Sequence, residues 1–196
     1  MPPKAEQTDA TPDWAWQALP RGVPAEPFAR AWLGARLGSP AEALPILRDA
    51  RGRPQLDAPF QGYDCNWSHS GEGLLVALGQ GLQVGVDLEW LRPRKRVLEL
   101  AGRWFTAHEA SWLAELDPVR RDRTFLRLWC AKEAVLKAHG YGPSFGLDRI
   151  GFGERSGILH LLSCDPALGP AEEWSLLEIE PAPGYIGALA WRHRQP

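Results

Sequence analysis

The sequence predicts an α+β fold written twice along one chain. Three observations carry this. The 196 residues are 44% hydrophobic, enough to bury a core in one large domain or two small halves. Helical and strand patterns occur in blocks, a helix then hairpin strands, followed by helices then strands, rather than in strict alternation. Two similar small-and-apolar strands, Gly73-Leu74-Leu75-Val76-Ala77-Leu78 and Tyr185-Ile186-Gly187-Ala188-Leu189-Ala190, stand near the end of each block and hint at related halves meeting near Gly85.

The elements follow in order. Residues 1–25 are proline-rich and read as a flexible, irregular or extended N-terminal segment. The 27–37 stretch spaces Phe28, Ala31, Trp32, Ala35 and Leu37 as a helix does. Gly38-Ser39-Pro40 stops that helix and opens a short one through Leu47, and 49–60 reads as turn. Strands are expected at 65–70, 74–78 and 82–89, separated by glycine turns, the first two forming a hairpin. A helix is expected near 96–104. Thr106 and Glu109 have capping-box spacing and start another helix through Leu116. The strongest helical run is 123–138, closed by His139-Gly140-Tyr141-Gly142-Pro143. Short strands near 150–152, 158–162, 174–179 and 185–191 finish the chain. The division expected is 1–25 as the flexible segment, 26–84 as the first half and 85–196 as the second.

Composition narrows the function classes. A formal net charge of −2 argues against nucleic acid as the main partner, because no basic excess matches a phosphate backbone. Local basic clusters remain at Arg92, Arg94, Lys95 and Arg96 and at Arg120, Arg121 and Arg123, readable as solvated surface. Cys65, Cys130 and Cys164 are sparse and odd in number, which suggests reduced thiols in a cytoplasmic protein. No apolar run reaches the ~18–20 residues that span a bilayer, so no membrane partner is expected. Residues 1–12 lack the apolar stretch of a signal peptide.

Two segments concentrate the chemistry. In Gly85-Val86-Asp87-Leu88-Glu89, strand alternation points Asp87 and Glu89 the same way, roughly 6–7 Å apart along the backbone. The glycine in that strand marks close approach of a ligand or another backbone. In Trp129-Cys130-Ala131-Lys132-Glu133-Ala134-Val135-Leu136-Lys137, residues 129, 133 and 137 share one helix face. The bland readings are an incidental acidic strand and a surface ion pair. Two carboxylates from a strand and one from a helix, with lysines beside them, suggest a hard-cation site that handles phosphate, and at this point both readings stand. Ser68 and His69 precede a glycine-rich turn able to cradle an anion, but neighbours on a strand face opposite ways and make a poor nucleophile–base couple. Arg51-Gly52-Arg53-Pro54 presents two guanidinium groups in a turn, suited to phosphate.

Together these motifs resemble the Sfp-type 4′-phosphopantetheinyl transferase family over residues 30–152. Gly52-Arg53-Pro54 is similar to its Gly-Lys/Arg-Pro turn, and Asn66-Trp67-Ser68-His69-Ser70 to its Asn-x-Ser-His-Ser strand. Gly85-Val86-Asp87-Leu88-Glu89 resembles the metal strand, with Leu88 a mild variant. Arg103-Trp104-Phe105-Thr106-Ala107-His108-Glu109 and the 129–137 helix match two further patterns in order.

The resemblance implies two pseudo-symmetric α+β halves with coenzyme A in the cleft between them. It implies transfer of the 4′-phosphopantetheine arm to a serine of an acyl or peptidyl carrier protein, with release of 3′,5′-ADP. Asp87, Glu89 and Glu133 are then expected to hold Mg²⁺, with Mn²⁺ an alternative ion. Glu133 and Lys137, with Lys132 and Glu109, are expected at the catalytic centre. Arg53, Ser68, His69, Arg51 and Arg30 are expected on coenzyme A, Arg21 and Arg36 being looser matches. A monomer is expected, since both cleft walls lie in one chain. The basic clusters would steer an acidic carrier. Two alternatives stand beside this reading: a non-catalytic coenzyme A-binding protein of the same fold, and another Mg²⁺-dependent phosphotransferase, for which no glycine loop is visible.

Overall fold

The structure is a computed structural model that describes residues 10–194. Two three-stranded antiparallel sheets form its centre. The first has the order β1 (Asp13–Ala18), β5 (Gly73–Gln80), β4 (Tyr63–Ser70). The second has the order β6 (Leu82–Trp90), β10 (Tyr185–His193), β9 (Ser175–Ile179). Two hairpins flank them: β2 (Ile46–Arg48) with β3 (Pro54–Leu56), and β7 (Ile150–Arg155) with β8 (Ile158–Cys164). The helices are α1 (Ala25–Leu37), α2 (Val97–Trp104), α3 (Ala107–Glu115) and α4 (Pro118–His139).

The sheets are separated by Gly81, whose φ of +66° turns the chain from β5 into β6. Pairing does not continue across this turn, because β5 bonds to β1 and β4 while β6 bonds to β10. The half boundary expected between 84 and 85 thus falls inside β6. The halves also differ in content: α1 packs with the first sheet's outer core, whereas the second half adds α2, α3, α4 and the β7–β8 hairpin. Leu75, Ala77, Leu82, Val84, Val86, Leu88 and Leu189 fill the layer where the two sheets meet.

Several expectations change. Residues 13–18, assigned above to a flexible segment, form β1, whose Trp14 and Trp16 pack on the layer between the sheets. Burial of these tryptophans outweighs the proline-rich flanks. Residues 1–9 of that segment lie outside the described residues. The short helix through Leu47 is a single 3₁₀ turn, Ala41–Ala43, followed by β2. Helix α4 begins at Pro118, five residues before the expected start: Asp117 accepts hydrogen bonds from the amides of Val119 and Arg120, and proline occupies the first turn. Apolar periodicity begins only deeper in this helix and masked its start.

Candidate functional site

The site forms where β4, β6 and α4 converge. Gly85 makes that convergence possible. A Cβ there would collide with the backbone of Ala134 and Ala138, so only glycine lets α4 lie this close to β6. The helix then runs across the strand face that carries Asp87 and Glu89. Glu133 and Lys137, one turn apart, point to that face, while Trp129 packs beside Phe105 and Phe125.

Lys137 Nζ lies 2.6 Å from Asp87 Oδ1 and 3.0 Å from Ser68 Oγ, and Ser68 Oγ is 2.9 Å from the same Asp87 oxygen. The other Asp87 oxygen, Oδ2, is buried and has no hydrogen-bond partner among the described residues. Glu89 accepts hydrogen bonds from Ser70 Oγ at 3.2 Å and from Arg94 at 3.0 Å.

The electrostatics follow from this crowding. Burial, reinforced by the charges of Asp87 and Glu89 and opposed by Lys137, pushes the Glu133 carboxyl up to about 7. Burial and Asp87 also raise Glu89, with Arg94 opposing. Burial disfavours the Lys137 ammonium, but the charge and hydrogen bond of Asp87 outweigh it and hold the group above its ordinary value.

Three carboxylates, one with an orphaned buried oxygen, are chemically a hard-cation donor set. Among the described residues, however, no three acidic, histidine or cysteine groups are drawn together closely enough to ligate one ion. Lys137, rather than a closed cage, neutralises Asp87. The donor set fits a hard cation by its chemistry.

Not every expected residue joins this centre. Glu109 and Lys132 are both 0% exposed and pair at 2.7 Å away from it. Glu109 also accepts from the amides of Thr106 (2.9 Å) and Phe152 (2.8 Å), completing the capping box. Lys132 donates to the carbonyls of Leu147 and Ile150. The pair forms a buried link between α3, α4 and β7. Arg30 likewise binds Glu26 and the carbonyls of Leu44 and Ala41, fastening α1 to the following loop. Arg51 is exposed, with its guanidinium 4.5 Å from the Tyr141 ring, and His69 is exposed on the strand face opposite Ser68. Arg53 is fully occupied by protein partners. Of the basic clusters, Arg121 caps α3 through the carbonyls of Leu113 and Leu116, and Arg123 pairs with Glu180.

Sequence reasoning missed a polar seam. Asp64, Asn66, Ser68 and Ser70 alternate along β4 and hold β6 through side chains in place of a backbone ladder. Asp64 accepts from the Val84 amide (2.7 Å), Asn66 from Val86 (3.1 Å) and Ser70 from Trp90 (3.1 Å). The signal was available as four small polar residues at every second position of one strand. Just past Ser70 lies a cavity of about 540 Å³, walled by Arg21, Gly71, Trp90, Arg92 and Tyr185 among others.

No helix among the described residues is long and apolar enough to cross a membrane. The three cysteines are free thiols, two of them buried.

Comparison with known proteins agrees with the motif order. Residues 83–185, just over half of the chain, match the model of the ACPS family, described as the 4'-phosphopantetheinyl transferase superfamily. The 4'-phosphopantetheinyl transferase HetI of Nostoc is 35% identical over 164 residues, 82% of this chain and 66% of that protein. The 4'-phosphopantetheinyl transferase AcpT of Escherichia coli K12 is 33% identical over 129 residues, 62% of this chain and 66% of that protein. The transferase psf-1 of Bacillus pumilus is 32% identical over 108 residues, 55% of this chain and 45% of that protein. The matches thus span about two thirds or less of these relatives' lengths.

Proposed function

Because the chain belongs to the 4'-phosphopantetheinyl transferase superfamily, we propose that it transfers the 4′-phosphopantetheine arm of coenzyme A to a serine of an apo acyl or peptidyl carrier protein, releasing 3′,5′-ADP in a Mg²⁺-dependent reaction. The observation that carries this reading is the convergence of Asp87, Glu89, Glu133 and Lys137 where β4, β6 and α4 meet.

Asp87, Glu89 and Glu133 would hold the ion. When bound, Mg²⁺ offsets negative charge on the pyrophosphate oxygens. The attacking hydroxyl belongs to the carrier, so this chain needs no nucleophile of its own. Glu133, facing Asp87 and Lys137 across the centre, is the group that accepts the serine proton, directly or through a water. The Lys137 ammonium, kept charged by Asp87, faces the same centre and stabilises phosphate oxygen as the leaving group departs. Ser68 orients both. The cavity beside Ser70, with Arg21 and Arg92 on its wall, suits an acidic carrier approaching the centre.

Intact-mass spectrometry tests this reading. An apo carrier incubated with the protein, coenzyme A and Mg²⁺ should gain one phosphopantetheine, and EDTA should abolish the gain. Coenzyme A binding with no gain on any of several acyl and peptidyl carriers would favour a non-catalytic binding protein instead.

A further inference from the structure

Arg53 lies in the turn whose guanidinium groups suited phosphate. Its five N–H donors are nevertheless all engaged by the protein. Nε donates to the carbonyl of Lys137 at 2.8 Å. One terminal nitrogen reaches the Pro54 carbonyl (3.2 Å) and Asp64 Oδ1 (2.9 Å). The other reaches Asp64 Oδ2 (2.5 Å) and the Val84 carbonyl (3.0 Å). The side chains of Arg53 and Asp64 are 11% and 2% exposed. This is a forked, desolvated pair, the geometry in which guanidinium recognition is strongest.

The partners belong to separate parts of the fold. Pro54 opens β3, Asp64 lies on β4, Val84 on β6, and Lys137 in the last turn of α4. Asp64 completes the link by accepting the Val84 amide at 2.7 Å. A cation on a terminal carbonyl of α4 also meets the negative end of the helix. Gly140, the left-handed cap of that helix, packs on the Arg53 stem, with a notional Cβ 3.3 Å from Arg53 Cδ. Asp49 secures the turn from the other side by accepting the amides of Arg51 and Arg53.

We propose that Arg53 is a positioning residue rather than a phosphate ligand: with Asp64 it clamps the C-terminal turn of α4 to β6, and so sets Lys137 on Asp87. The inference rests on the transferase reading for its catalytic consequence. Turning Arg53 toward an anion would strand a carboxylate that is almost fully buried, at a cost a surface phosphate contact does not recover. The residual neighbour, Arg194, is 3.6 Å from Asp64 and more exposed.

The experiment uses the full chain with Arg53→Lys, Arg53→Gln, Asp64→Asn and the Arg53→Lys/Asp64→Asn double variant. Coenzyme A dissociation constants are measured by calorimetry at several salt concentrations, kcat and KM by carrier mass shift, and hydrogen exchange at the amides of Val84 and Gly140. The clamp predicts that kcat falls about tenfold or more in each single variant, as for a displaced catalytic group. The double variant should be no worse than the singles. Coenzyme A affinity should change less than about threefold, and exchange at both amides should rise. If Arg53→Gln instead weakens coenzyme A tenfold and flattens the salt dependence, with kcat and exchange unchanged, Arg53 is a phosphate ligand and the clamp is wrong. Should Asp64→Asn fail to fold, the two Arg53 variants decide alone by the same split. Inactive wild-type protein would count against the transferase reading, while exchange in Arg53→Gln would still judge the clamp: unchanged exchange at Val84 and Gly140 rejects it.

Discussion

The ammonium of Lys137 sits 2.6 Å from Oδ1 of Asp87, fifty residues away in sequence, while Oδ2 of the same carboxylate has no partner among the described residues. One oxygen is thus neutralised and the other is kept free. Replacing Lys137 by Ala should leave Asp87 uncompensated. The Lys137 side chain is 30% exposed, so the loss should be near the lower end of a charged hydrogen bond, about 1–2 kcal/mol in urea unfolding of metal-free protein. Transfer activity should fall by about a hundredfold if the ammonium serves the leaving phosphate. Retention of full activity would remove Lys137 from the mechanism.

A buried carboxyl at Glu133 makes stability depend on pH. Its folded value, about 7, lies above the ordinary 4.5. Between those values the folded state holds the extra proton, so stability is full below about pH 4.5 and declines as pH rises through 7. The shift corresponds to roughly 3 kcal/mol, an order-of-magnitude figure. Thermal unfolding of metal-free protein should show this decline relative to Glu133→Gln, in which it should disappear. Mg²⁺ should restore stability at pH 7.5 in the wild type and less in the variant. A pH-independent difference between the two would contradict the assignment.

Gly85→Ala should act through packing alone. The new methyl meets the α4 backbone rather than a movable side chain, with Ala138 Cα at 2.9 Å. Overpacking of this kind costs about 1–3 kcal/mol, or more where backbone must shift. The separation of α4 from β6 should also raise KM for Mg²⁺. Unchanged unfolding and metal dependence would show that the helix can move without consequence.

The Glu109–Lys132 pair should govern folding rather than chemistry. Glu109→Gln leaves a buried ammonium half compensated, and a loss of about 3–5 kcal/mol is expected in denaturant titration. Whatever fraction remains folded should keep its turnover number. A large kcat loss at normal stability would return Glu109 to the catalytic centre.

Thiol reactivity offers a check on the core. Burial pushes Cys65 up to about 12 and Cys130 well above its ordinary value, the charge of Asp64 adding to the first and Asp87 to the second. Neither should react with a thiol reagent at pH 8 until the protein unfolds, whereas the half-buried Cys164 should react first. Rapid labelling of all three in the native state would show that the two core thiols are accessible.

Much of the architecture was legible in local signals. The glycine stops, the Thr106–Glu109 capping box and the strand alternation at 82–89 are short-range effects, and they placed α3, α4, β5 and β6. Strand β1 was not legible, because its pairing with β5 depends on tryptophans meeting a layer built by residues sixty positions later. Lys132 stands in an apolar helical run and Glu109 at a capping-box position, so each was legible as a residue with a local role. Their pairing was hidden, since nothing in sequence spacing tells a buried charge facing a ligand from one facing another buried charge.

Arg53 shows the same division. Its residue type and its glycine–proline turn marked it for anions, but Asp64 and the Lys137 carbonyl had already claimed its donors. The sequence by itself determined which carboxylates and amines the chain owns, which side of each helix or strand they occupy, and the family to which their order corresponds. Only the tertiary structure decided which charges meet. That choice depends on how closely α4 can approach β6 at Gly85 and on the side-chain seam that joins β4 to β6. Both are distances between elements remote in sequence, and an electrostatic interaction is set by distance and burial rather than by residue type.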